Sequence, residues 1–212
     1  GADGTLAGLA SGAILVDHTT ASAGIAREIA EAGGDRGIGF LDAPVSGGQE
    51  GAQNGALTVM VGGGEGDFAK GEPAMQSYAK SVILMGPVGS GQLTKMVNQI
   101  CCSCAIQALA EGMNFAVKAG LNAHQVVDVI SKGAAQSWQM ENRSGTMIDG
   151  EFNHGFAVDW MRKDLGICLE EARRNGSRLP VTALVDQFYG DVQEMGGNRW
   201  DTSSLIQRLR KK

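Results

Sequence analysis

The character of the chain changes at one place, Gly86 to Gln99, GPVGSGQLTKMVNQ. Upstream, short apolar runs of strand length alternate with segments of helical pattern. Downstream, every patterned segment is helical. The stretch itself is a glycine-rich turn that opens into a long, apolar helix. That ordering predicts an α/β domain over residues 1–88, an all-helical domain over residues 89–212, and a long helix that joins them. The first domain reads as part of an open α/β sheet.

In the first half, residues 4–10 read as the end of a helix. Strands are expected at residues 13–17, 39–42, 57–61 and 81–85, with helices at about 21–32 and 67–78. The second and third strands are joined by a short glycine-rich segment, so the sheet is expected to be mixed. The second half predicts helices at about 90–120, 123–131, 159–174, 180–195 and 201–210. Gly133 is expected to stop the second of these, and Ser137-Trp138 to form a turn or a helix start.

Composition narrows the function. Of 212 residues, 43% are hydrophobic and 19% charged, with a net charge of −5, which does not suit a nucleic-acid surface. The basic cluster Arg208, Arg210, Lys211, Lys212 reads as a solvated tail. Cys101, Cys102 and Cys104 share one apolar helix, Cys168 lies in another, and His18, His124 and His154 are scattered. None has metal-ligand spacing, so the cysteines are expected to be small core residues of a cytoplasmic protein and no metal site is expected. No signal peptide and no apolar run long enough to span a bilayer is expected either.

The residues with chemistry to offer sit at the seam and at strand ends. A lone lysine in a helix is ordinarily solvated. Lys95 differs because its helix is apolar on nearly every side and because it lies close to the helix N-terminus. Both conditions disfavour the charged amine and suit a general acid/base. Asn98 and Gln99, three and four residues on, share its helix face and could orient a bound oxygen. Ligands bind open α/β sheets at the carboxyl ends of strands. Thr19-Thr20 follows one such end, where a threonine serves equally as a helix N-cap or as a ligand contact. Asp42-Ala43-Pro44-Val45-Ser46-Gly47-Gly48 follows another. There Ser46 supplies a hydroxyl, and Gly47 and Gly48 admit backbone N–H groups to a carboxylate. Lys163 and Asp164 are neighbours on a helix and read as a solvated pair.

Three segments, DAPVSGG (42–48), GxxGxGxxxKxxNQ (86–99) and KDL (163–165), together resemble the β-hydroxyacid dehydrogenases, the family of 3-hydroxyisobutyrate dehydrogenase and tartronate semialdehyde reductase. VDHTT (16–20) resembles that family's cofactor-contacting strand end. The resemblance implies a Rossmann domain, an all-helical second domain, and hydride transfer between NAD or NADP and a small β-hydroxyacid. By position, it implies that Lys95 is the general acid/base and that Asn98 and Gln99 hold substrate oxygens. Ser46, Gly47 and Gly48 would hold the substrate carboxylate, and Thr20 and Lys163 would contact the cofactor. Many relatives carry Asn at the position of Gln99.

The family's opening βαβ unit with its glycine-rich pyrophosphate loop has no counterpart in these residues. The stretch alone is therefore expected to be inactive and to bind the dinucleotide weakly. Two other readings compete: a non-catalytic dimerisation module on the same fold, and an imine-reducing relative, which generally lacks the lysine. A 6-phosphogluconate dehydrogenase is disfavoured, since that family has His-Asn where Asn98-Gln99 stands. The sparsely charged helix after Ser90 implies a homodimer or tetramer. No nucleic-acid or membrane partner is expected.

Overall fold

A computed structural model describes residues 4–210. It comprises two compact units, residues 1–97 and 98–212.

The first unit opens with a short helix, α1 (Thr5–Gly8), then strand β1 (Ile14–Asp17), helix α2 (Ala23–Gly34) and strand β2 (Gly39–Asp42). Strands β1 and β2 pair in parallel, as a helical crossover requires, with Asp17 opposite Asp42. The chain then doubles back through a two-residue strand, β3 (Val45–Ser46), a short helix, α3 (Gly48–Gln53), and strand β4 (Leu57–Gly62). Both β2 and β3 lie antiparallel to β4. Helix α4 (Glu65–Gln76) and strand β5 (Ala79–Gly86) complete the unit, β5 parallel to β4. The sheet is mixed, as expected, because the link from Ser46 to Leu57 is too short for a right-handed crossover. Neither β3 nor α3 was anticipated, since two and six residues carry no readable periodicity. Leu41, Ala43, Val59, Val61 and Met75 form the core of this unit. Leu41 is fully buried, which for such a side chain contributes roughly 1.5–3 kcal/mol.

Helix α5 (Ser90–Lys118) follows the expected course. Compactness divides the units inside this helix, between Val97 and Asn98, rather than at 88/89. The reason is that the first turn of α5 is bound to the sheet, as shown below. The second unit continues with α6 (Ala123–Ile130), α7 (Trp138–Asp149), α8 (Val158–Asn175), α9 (Pro180–Glu194), a 3₁₀ turn (Thr202–Leu205) and α10 (Ile206–Arg210). Side-chain caps start three of these segments: Asn122 accepts from the Gln125 amide, Ser137 from Met140, and Asp201 from Ser203. Ser137 therefore begins a full helix. Helix α6 ends at Ile130 with Ser131 as its C-cap, two residues before Gly133, as expected. The core includes Ile106, Met113, Met147, Leu165, Tyr189 and Ile206.

Two expectations are corrected here. Helix α5 is, by length and composition, apolar enough to cross a membrane, with an 18-residue window of mean hydropathy 1.4. Its interspersed Ser, Asn and Gln hid that run from a scan for uninterrupted apolar residues. Ile106, Leu109, Ala110 and Met113 of this helix are core residues of the second unit, and Gln99, Ser103 and Gln107 are buried with them. The cysteines are not uniformly core residues either: Cys168 is buried, Cys102 and Cys104 are half-buried and Cys101 is exposed.

Candidate active site

In the first unit, Asp42 ends β2 and is fully buried. Its Oδ1 accepts the Gly89 N–H at 2.7 Å and its Oδ2 the Gln92 N–H at 2.9 Å. The carboxylate thus satisfies donors that the start of α5 would otherwise leave unpaired. Burial pushes its pKa above the usual carboxylate value, opposed by the same backbone N–H bonds. A side chain at Gly91 would collide with the carbonyl oxygens of Asp42 and Met60. The GxxGxG turn therefore serves to seat α5 on the strand ends.

Lys95 follows one helical turn later and is 8% exposed. Burial is thus the first of the two conditions that set this lysine apart in the sequence.

Thr20 lies half-buried in the irregular segment between β1 and α2. The N-cap of α2 is Ser22, whose hydroxyl accepts the Ile25 N–H at 3.1 Å. Capping by the threonines is thereby removed as an account of Thr19-Thr20. Thr19 instead donates its N–H to Asp17 Oδ1 at 2.9 Å. Two further groups fix this segment, and neither was singled out from sequence. His18 Nδ1 is 2.6 Å from the Ala43 carbonyl, which can only accept, so Nδ1 carries the proton. In the neutral ring Nε2 then accepts from the Tyr78 hydroxyl at 2.7 Å. Gln92, 1% exposed, reaches the same segment from α5: its Oε1 accepts the Ala21 N–H at 3.0 Å and its Nε2 donates to the Thr19 carbonyl at 2.7 Å. Both contacts join residues far apart in sequence, so no local signal announces them.

Ser46 closes β3, half-buried, and Gly47 and Gly48 follow in the open. Gly47 has φ +127° and Gly48 φ +62°, a turn that disfavours any residue with a Cβ. An added Cβ at Gly48 meets nothing within 4 Å, so the backbone there is accessible to a ligand.

In the second unit, Gln99 is 4% exposed. Its Nε2 donates to Asp164 Oδ2 at 2.6 Å and its Oε1 accepts from Asn98 Nδ2 at 2.7 Å. Asp164, on α8, is also buried, and Lys163 Nζ stands 2.9 Å from its Oδ1 as an ion pair. The expectation of a solvated Lys163–Asp164 pair is corrected. Neighbouring helix positions diverge at Cβ, but the long lysine stem reaches back to the carboxylate. Asn98, Gln99, Asp164 and Lys163 thus form one polar chain that links the KxxNQ and KDL motifs. Burial, and secondarily the Asp164 charge, push the Cys168 thiol up to about 12, which makes it an inert core group. Among the described residues no group of three or more His, Cys, Asp or Glu side chains is placed to hold a metal ion.

Within the first unit, a half-buried threonine after a parallel strand and exposed glycine N–H groups beside a serine are donors of the kind that anionic groups take.

These two units are matched by two family models. Residues 1–86 match the NAD binding domain of 6-phosphogluconate dehydrogenase. Residues 89–209 match the model described as NAD-binding of NADP-dependent 3-hydroxyisobutyrate dehydrogenase. The chain belongs to the 3-hydroxyisobutyrate dehydrogenase family of β-hydroxyacid dehydrogenases, NAD(P)-dependent oxidoreductases. Its particular relatives include an "uncharacterized oxidoreductase" of Shewanella frigidimarina, 64% identical over all of this chain and 72% of the relative. A 2-(hydroxymethyl)glutarate dehydrogenase of Eubacterium barkeri is 35% identical over 97% of the chain and 69% of that protein. The crystal structure of 3-hydroxyisobutyrate dehydrogenase from Salmonella typhimurium superposes with a TM-score of 0.90 at 31% identity, over 97% of this chain and 73% of that one.

Proposed function

We propose that the protein transfers a hydride reversibly between NAD(P) and the hydroxyl-bearing carbon of a small β-hydroxyacid, of the 3-hydroxyisobutyrate or tartronate semialdehyde type. The cofactor supplies the hydride acceptor or donor. In oxidation, the neutral Lys95 amine takes the hydroxyl proton and becomes an ammonium as the C–H bond breaks and the C=O bond forms. In reduction, Lys95 returns that proton. Ser46 and the Gly47 and Gly48 N–H groups hold the substrate carboxylate, Asn98 and Gln99 orient the substrate oxygens, and Thr20 and Lys163 contact the cofactor. Because both polar ends of Gln99 are already engaged, it acts chiefly by orienting Asn98.

The observation that carries this reading is the burial of Lys95 at the sheet-anchored end of α5. A purely structural module has no use for a buried amine there, and imine-reducing relatives generally lack it. The test is Lys95→Ala in the holoenzyme. Turnover should fall by about 10²–10⁴-fold, with the circular dichroism spectrum and Tm retained. Wild-type kcat in this variant refutes the mechanism.

A further inference from the structure

Gln92 is the third residue of α5, and its side chain holds the backbone on both sides of Thr20. The Thr19 carbonyl takes its amide hydrogen, and the Ala21 N–H gives a hydrogen to its amide oxygen. Its own backbone N–H is held by Asp42. Residues 18–22 belong to no helix or strand, so their backbone position depends on such contacts. Lys95 comes three residues after Gln92, one helical turn away. One side chain therefore ties the Thr20 segment to the helix that presents Lys95.

We propose that Gln92 is a positioning residue that sets where Thr20, and with it the dinucleotide, stands relative to Lys95. The roles of Thr20 and Lys95 rest on the functional reading above; the latch itself does not. An amide suits this task because it pairs with one carbonyl and one N–H in a fixed plane, whatever the side chains of the segment it holds. Methionine matches its length and offers neither bond. Glutamate keeps the acceptor for Ala21 but sets a second oxygen against the Thr19 carbonyl.

The test compares Gln92→Met and Gln92→Glu with the wild type by two readouts. The first is amide hydrogen exchange across residues 19–21, measured without cofactor or substrate. The Ala21 amide should exchange about tenfold faster in Gln92→Met, as expected for one lost hydrogen bond, and less so in Gln92→Glu. The second is steady-state kinetics of the holoenzyme. KM for the dinucleotide should rise and kcat fall in Gln92→Met, with KM for the carboxylate substrate unchanged, and Gln92→Glu should fall between the two. Unaltered Ala21 exchange overturns the latch. A lowered Tm with wild-type kcat and dinucleotide KM reduces Gln92 to a structural role and overturns the proposal. Should Gln92→Met fail to fold, Gln92→Glu decides by the same readouts. Faster exchange together with a fully active Lys95→Ala variant would refute the functional reading and leave the latch standing.

Discussion

Replacing Asp42 by asparagine removes the charge and one of its two acceptors. The carboxylate is fully buried and takes two backbone N–H groups, from Gly89 at 2.7 Å and Gln92 at 2.9 Å. An asparagine oriented to keep the Gly89 bond turns its NH₂ toward the Gln92 N–H, and two donors then face each other. A buried donor left unsatisfied costs about 1–3 kcal/mol. Relief of the desolvated charge offsets part of this, so a net loss near about 2 kcal/mol is expected at neutral pH. For a chain of this size that corresponds to a Tm lower by about 4–8 °C, readable by scanning calorimetry.

The pH dependence supplies a sharper check. Burial raises the folded-state pKa of Asp42 above its ordinary value of 3.8. Its stabilising contribution is therefore fully present below the unfolded value and declines as pH rises through the raised one. The replacing amide does not titrate, so the stability gap between wild type and Asp42→Asn should narrow as pH rises through that window and then stay constant. An Asp42→Asn protein as stable as wild type at neutral pH would refute the argument that this carboxylate seats α5, and a gap that widens with rising pH would refute the raised pKa.

Two other outcomes follow from the proposed site and its helix. Ser46→Ala should raise KM for the carboxylate substrate more than it lowers kcat, the signature of lost uniform binding; an unchanged KM in steady-state kinetics counts against the cradle. Phe115 and Val117 near the end of α5 and Leu121 just after it are 72%, 49% and 54% exposed, apolar surface that a second copy of the chain would cover. Sedimentation at micromolar concentration should show at least twice the 22.1 kDa chain mass, and a monomer alone would reject the dimer.

The sequence by itself determined the order of most elements and the seam at α5. Those features rest on short-range physics. Apolar periodicity marks a strand or a helix within its own length, and glycine, proline and capping residues mark its ends. Lys95 was legible for the same reason, as a charge set into an apolar helix. Ser22 shows the limit of such reasoning, since local propensity alone could not choose between it and the threonines beside it.

What only the tertiary structure decided are the partners of the polar groups. Asp42 reaches Gly89 and Gln92, Gln92 reaches Thr19 and Ala21, His18 reaches Tyr78, and Gln99 reaches Asp164. In sequence a buried glutamine and a solvated one are the same letter, and bonds between residues dozens of positions apart leave no periodic trace. Burial makes these pairings obligatory, because an unmet donor or acceptor in the core is costly. The fold alone determines which group meets which.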